Sequence, residues 1–301
     1  MNNSPTPALW GAHLFVPANN AGYLTKLPLI PIQHIILDLE YATLLAHKAS
    51  ARHLIRHAIP YLRELNDDLH ICVRVNPVQA GTLLEEDLRL VVPAAPDAIR
   101  IPSVNHPDDV KKVDELVTHW EKLANLPPHS IALHPMIETP AGFRHAYAIA
   151  AASPRNQSLG LGGEDWAHNL GLNRTPAAQE LHYLKAAIIP IAAEFNLAPI
   201  DSVYQWLDDI DGLLADCHTS LQLGYRGRAT VNPRQIGIIN QAYKPAPEFI
   251  AWAKNLTGGL QQQDVGGHTH YTAHDRLLDP LAVYQAQVAL AHPAAHDTNQ
   301  E

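Results

Sequence analysis

Two apolar runs of this chain end in carboxylates. Ser130–Glu138 (SIALHPMIE) closes on Glu138. Ser158–Asp165 (SLGLGGED) passes through three glycines into Glu164 and Asp165. A run of this kind reads as a buried strand opening into a turn. Glycines there let a ligand approach the backbone, so Gly163 and Glu164 are expected to touch one. Carboxylates from two strands can converge on one hard cation and leave positions for water and substrate. Taken singly, Glu138 and Asp165 could equally cap the helices that follow, Asp being a favoured N-cap. Two further runs carry the same polar ending. His34–Glu40 (HIILDLE) places Asp38 and Glu40 on one face of a strand, and His70–Asn76 (HICVRVN) does so for Arg74 and Asn76. A guanidinium fork suits a carboxylate, so Arg74 is read as a carboxylate binder. An ion pair from Arg74 to Asp38 or Glu40 is compatible with that role.

The elements that must position these groups alternate regularly. Strands are expected at His13–Pro17, His34–Glu40, His70–Asn76, Ala98–Ser103, Ser130–Glu138, Ser158–Asp165, Ala198–Tyr204 and Gly227–Pro233. Helices are expected over 45–58, 83–92, 108–124, 142–152, 176–195 (kinked near Pro190), 212–223 and 234–242. The 108–124 segment shows Val110, Val113, Leu116, Val117, Trp120 and Leu123 on one stripe. Eight strand–helix repeats with near-continuous apolar strands predict a closed (β/α)8 TIM barrel over residues 1–257, with a doubly wound open sheet as the alternative. In such a barrel the strand C-termini carry the active site. Residues 258–301 form a separate extension. It begins as a polar, Gly-rich stretch read as a mobile loop or lid, and Leu277–Leu290 then returns to helical spacing. Leu277, Leu278, Leu281, Val288 and Leu290 of that helix call for an apolar partner, its own barrel or another copy of the chain. Residues 293–301 read as a frayed end.

Composition narrows the function. With 47% hydrophobic and 17% charged residues the chain is globular. A net charge of −9 argues against nucleic acid and anionic membrane as partners. Cys72 and Cys217 stand apart, which argues against a disulfide framework. No signal peptide or spanning run is visible, so a cytoplasmic protein is expected. Gly160–Gly163 does not open a dinucleotide site, because Glu164 and Asp165 would repel pyrophosphate. No nicotinamide or PLP is expected. His268, His270 and His274 lack a zinc frame and read as a solvated loop. The eight lysines all read as loop or helix-surface positions. Carbonyl chemistry here would therefore use a metal as Lewis acid rather than a Schiff base.

The segments LFVPANN, IILDLEYA, VRVN, MIETPAG, GLGGEDWAHNLG, PIDSVY and GYRGRATVNPRQIGIIN occur in order over about residues 13–245. In them the chain resembles the citrate lyase β-subunit/malyl-CoA lyase group of the HpcH/HpaI aldolase superfamily. The resemblance implies a barrel in which Glu138 and Asp165 hold Mg2+ (or Mn2+), with Asp38 just behind the metal. Arg74 would grip the carboxylate of a 2-oxo acid. It also implies cleavage or formation of a carbon–carbon bond beside a carbonyl, on an oxo acid or a CoA thioester, in a homo-oligomer, trimer or hexamer. A catalytic base is needed, and Asp38, Glu40, Asp201 and an acid of the tail, Asp279 or Asp275, are the candidates. Thioester hydrolysis, or oxo-acid binding without turnover, are the rival readings. Departures fall on the thioester side. Tyr41 stands where an acid is usual, Ser103 where a lysine is, Gly11-Ala12-His13 where an arginine precedes LFVP, and Gly227-Arg228…Asn232-Pro233 replaces GK…HP.

Overall fold

A computed structural model describes residues 9–290, apart from 266–267 and 274–275. Eight short runs form parallel strands: β1 (Gly11–Pro17), β2 (His34–Asp38), β3 (His70–Arg74), β4 (Ala98–Ile101), β5 (Ala132–Ile137), β6 (Ser158–Leu161), β7 (Ala198–Asp201) and β8 (Gly227–Thr230). Each pairs with the next in sequence, and β8 returns to β1 through Gly11↔Gly227 and Leu14↔Thr230, which closes the barrel. The helices between them are α1 (Ala21–Leu24), α2 (Lys48–Leu65), α3 (Thr82–Val91), α4 (Pro107–Leu123), α5 (Pro140–Arg144), α6 (Ala146–Ala150), α7 (Gly163–Asn169), α8 (His182–Glu194), α9 (Ile210–Leu223) and α10 (Ile236–Tyr243).

Alternation along the strands builds two layers. Ile35, Leu37, Ile71, Val73, Ile99 and Leu133 pack in one cluster with helix residues such as Ile55, Leu88, Val113 and Ile188. Each such side chain contributes about 1.5–3 kcal/mol on burial, so this outer layer carries most of the hydrophobic stabilisation. The alternate residues Ile36, Cys72, Ala98 and Ala132, with Phe15, form a small separate cluster inside the barrel. The strands' N-terminal halves add a row of rings. His13 stacks on His34 at 4.5 Å, His34 meets His70 at 5.4 Å, and His70 stacks on His134 at 5.7 Å. Burial pushes the pKa of His70 below its ordinary value and that of His134 well below it. The interior fills from the N-terminal end, which leaves the C-terminal end for a cavity.

Several expected boundaries shift. Strands β2 to β8 all stop before the last polar residue of the expected run, because that residue leaves the ladder for a turn. The expected strand to Asp165 ends at Leu161, and Glu164 and Asp165 lie in the first turn of α7. The expected 142–152 helix is two short ones that meet at His145. On α4, Leu123 lies outside the apolar stripe and is 61% exposed.

The chain divides into two compact units, Gly11–Tyr243 and Lys244–Glu301 with Met1–Trp10, so residues 244–257 group with the tail and not with the strands. In the second unit α11 (Pro247–Thr257) packs on α12 (Pro280–Leu290) through the buried Ala253, Ala286 and Ala289. This is a narrower face than the leucine stripe expected there, and Leu277 is exposed. The stretch read as a loop is an antiparallel sheet of β9 (Gln261–Val265), β10 (His268–Ala273) and β11 (Arg276–Leu278). His274 and Asp275 lie outside the described residues, as do residues 293–301. No described helix is long and apolar enough to cross a membrane.

Candidate active site

At the C-terminal ends of the strands lies a cavity of about 370 Å3, and Arg74, Arg100, Glu138, Gly163, Glu164 and Asp165 all line it. Four of the expected site residues thus come together with Arg74.

Glu138 is the first residue after β5 and is 2% exposed. Its Oε1 accepts from the backbone N–H of Ser103 and from Ser103 Oγ at 3.1 Å. Ser103 donates both bonds from a left-handed backbone conformation, φ +49°. A Cβ at position 162 would overlap Glu138 Oε2, so Gly162 leaves the space that the carboxylate occupies. Burial first, and then the Asp165 charge, raise the Glu138 pKa; the Ser103 bonds and Arg74 only partly offset this. Asp165 Oδ1 accepts from Tyr41 Oη at 3.1 Å. The Asp165 charge, with burial second, raises the Tyr41 pKa, so the phenol keeps its proton for that bond. Two like charges, one in a glycine-cleared cradle, fit a hard cation held by two carboxylate oxygens and completed by water. No group of three or more His, Cys, Asp and Glu able to hold a metal occurs among the described residues.

Arg74, the last residue of β3, holds Asp38, the last of β2, through both ends of its fork: Nε to Oδ1 at 2.7 Å and Nη2 to Oδ2 at 2.6 Å. Its Nη1 lies 3.0 Å from Glu40 Oε2. Burial would lower the Arg74 pKa; the Asp38 bonds and charge outweigh it. Asp38 also accepts from the backbone N–H of Glu40 and of Ala42, both at 2.9 Å. With its acceptor positions filled by the turn and Arg74, Asp38 orients Arg74 and leaves no lone pair for a metal or a proton relay. Glu40 differs. Its Oε2 faces Arg74 without a well-formed hydrogen bond. Burial raises its pKa to about 8 against the pull of Arg74, with Glu138, Asp38 and Asp165 adding to the rise.

Other expected groups go elsewhere. Asn76 is buried away from the cavity, where its amide donates to Asp87 at 2.6 Å and its carbonyl accepts from Lys48. Asp201 is locked with Arg228, Lys185 and Ser220. Burial alone would raise its pKa, and Arg228 and Lys185 hold it below the ordinary value, which removes it as a base. Lys48 and Lys185, expected at the surface, are 8% and 2% exposed. Each reaches inward to acceptors that helix periodicity cannot show. Glu164 lines the cavity while paired with Arg174 at 2.9 Å. A Cβ on Gly163 would come within 2.8 Å of Ser202 Oγ, so only glycine keeps this wall close. Asp279 belongs to the C-terminal unit, exposed at the start of α12, where its carbonyl accepts from Val283 N–H at 3.2 Å. Sequence reasoning passed over Arg100 and Phe15 as working parts, and noted Ser103 as a polar strand end and a departure from the family pattern without seeing that it binds Glu138. The inward step from Ala98 to Arg100 on β4 was the available signal.

The HpcH/HpaI aldolase/citrate lyase family model matches residues 12–233. Citrate lyase subunit beta of Haemophilus influenzae is 31% identical over 279 residues, 92% of this chain and 94% of that protein. The mitochondrial citramalyl-CoA lyase of Homo sapiens is 28% identical over 290 residues, 92% and 83%. Among solved structures, the M. tuberculosis citrate lyase beta subunit complexed with oxaloacetate and magnesium superposes with a TM-score of 0.66 at 23% identity, over 79% of this chain and 99% of that one. The chain belongs to the HpcH/HpaI aldolase/citrate lyase family.

Proposed function

We propose that this carbon–carbon lyase of the HpcH/HpaI family uses a divalent cation, Mg2+ or Mn2+, to break or form a bond beside the carbonyl of a 2-oxo acid adduct. The observation that carries this reading is the convergence of Glu138 and Asp165 on one cavity with Arg74, whose Nη1 lies 3.0 Å from Glu40. The M. tuberculosis relative solved with oxaloacetate and magnesium supports it. Glu138 and Asp165 would hold the ion, which when bound supplies a Lewis acid for the oxo-acid oxygens.

The rest is done by the chain's own groups. Arg74, held rigid by Asp38 and Phe15, aims its charge into the cavity and orients a carboxylate there. In the cleavage direction the adduct's hydroxyl gives up its proton, and the bond electrons pass to the departing carbonyl fragment, which is then protonated. Glu40, with a carboxyl at about 8, can accept and return that proton near neutrality. Asp279→Asn and Asp275→Asn beside Glu40→Gln separate the three remaining candidates for the base. The assay takes free acids and CoA thioesters alike, because the relatives include a citramalyl-CoA lyase. Homo-oligomerisation and a cytosolic location complete the reading, supported by the exposed Leu277 and Tyr284 and by two free thiols. Light scattering at micromolar concentration tests the first.

The deciding experiment is calorimetric titration of Mg2+ into wild type, Glu138→Ala and Asp165→Ala, alongside turnover of malyl- and citramalyl-type compounds. Binding and turnover are expected in wild type and lost together in both variants. Equal Mg2+ binding in all three would sink the metal site. Free thiol without an oxo-acid product would make the protein a hydrolase.

A further inference from the structure

Arg100 sits on β4 between Ile99 and Ile101, which belong to the layer facing the helices. Its own side chain enters the barrel and lines the cavity with Met136 and Glu138. It is 1% exposed. Its Nε and Nη2 have no hydrogen-bond partner, and among the described residues no carboxylate pairs with it. Arg74 is its register partner across β3 and β4. Both guanidinium groups lie over the Phe15 ring, Arg74 at 4.5 Å and Arg100 at 5.7 Å. The two differ in what they hold. Arg74 spends its Nε/Nη2 edge on Asp38 and a third nitrogen on Glu40. Arg100 presents the same Nε/Nη2 edge to nothing.

A guanidinium keeps its proton in a protein, and a buried charge without a counter-ion is strongly unfavourable. Burial pushes the Arg100 pKa down and the Arg74 charge adds to this, while the Cys72 thiol and the Glu138 charge only partly offset it. With that edge closed to solvent and the guanidinium lining a ligand-sized cavity without an acid partner, the group it suits above others is a carboxylate. The depth matters. Arg74 is 9% exposed and Arg100 1%, so an anion that reaches Arg100 is the more buried of the two.

We propose that Arg100 is a specificity-determining residue that takes a second carboxylate of the ligand, so that this chain selects a dicarboxylate 2-oxo acid over a monocarboxylate one. The inference rests on the oxo-acid reading given above. Pyruvate and oxaloacetate are the probes, titrated calorimetrically in saturating Mg2+ into wild type, Arg100→Met and Arg100→Lys. Wild type is expected to bind oxaloacetate at least about tenfold more tightly than pyruvate. Arg100→Met should lose that preference while holding pyruvate within about twofold of wild type, and Arg100→Lys should keep part of it. The melting temperature of ligand-free Arg100→Met should rise, because an unpaired buried charge has gone. A falling melting temperature or an unfolded Arg100→Met would make Arg100 a structural residue and overturn the assignment, as would an equal loss of both acids. Mg2+-dependent pyruvate binding by wild type with no preference for oxaloacetate defeats the Arg100 assignment and leaves the lyase reading standing. Binding of neither acid defeats both.

Discussion

Two fully buried guanidinium groups, Arg100 and Arg228, stand in different parts of the barrel unit, and each has two nitrogens without hydrogen bonds. Arg228, on β8, points away from the cavity. It contacts Asp201, and Asp216 at 2.8 Å, while Lys185 Nζ reaches the same two acids at 3.0 Å and 2.6 Å. Ser220 Oγ donates to Asp201 at 2.5 Å. Two cations meet two carboxylates, and the charges cancel. Around the cavity they do not. Arg100 has no acid, Glu40 and Glu138 are pushed toward their protonated forms, and Asp165 adds a further negative charge. Burial and charge are common to both regions. What marks the cavity is the mismatch, which a metal and an anionic ligand can correct.

That contrast can be broken by mutation. Lys185→Met removes one cation from the closed cluster and leaves two buried acids facing Arg228. A loss of about 3–5 kcal/mol is expected, read as a lower denaturation midpoint, with turnover per folded molecule unchanged. A large fall in turnover instead would join the two regions into one machine. On the cavity side, Glu40→Gln should lower kcat by about a hundredfold or more while Mg2+ affinity holds, since proton transfer of this kind contributes on that scale. Retained turnover would move the proton transfer to another group.

A pH scan sharpens the difference further. The folded Glu40 carboxyl, at about 8, lies above its ordinary value of 4.5. The folded state therefore binds more protons than the unfolded chain between these values. Stability of the metal-free protein should fall as pH rises from about 4.5 to about 8, and Glu40→Gln should flatten that slope. Asp201, held low, works in the opposite sense. Its contribution is present above the ordinary carboxylate range and is lost as pH falls through its folded value. The smallest effect is expected at Tyr41. Tyr41→Phe deletes one partly exposed bond to Asp165 and should weaken Mg2+ binding by about threefold to tenfold, measured by the same titration. An unchanged affinity would show that the phenol does not position Asp165.

Much of the fold was legible because strand and helix periods are local. Runs such as HIILD must bury both faces, and eight of them in alternation with helices lead to a barrel. The tail misled because QQQDV and HTHYTA form strands without the apolar face that announces one. Lys48 and Lys185 misled because a lysine on a helix reads as solvated until the acids and carbonyls it meets are known.

The sequence by itself determined which groups sit at the ends of strands and the turns beyond them, and so brought Asp38, Glu40, Arg74, Glu138 and Asp165 to one end of a barrel. That follows from residue type and a period of two, which any one strand contains. Tertiary structure alone decided which of these charges are cancelled. Pairing depends on contacts between strands far apart in sequence: Asp38 meets Arg74, Asp201 meets Arg228, and Arg100 meets no acid. Electrostatic energy depends on distance and burial rather than on order along the chain. The acids taken from the list of bases, Asp38 and Asp201, and the arginine that no motif announced, Arg100, were all settled by that physics.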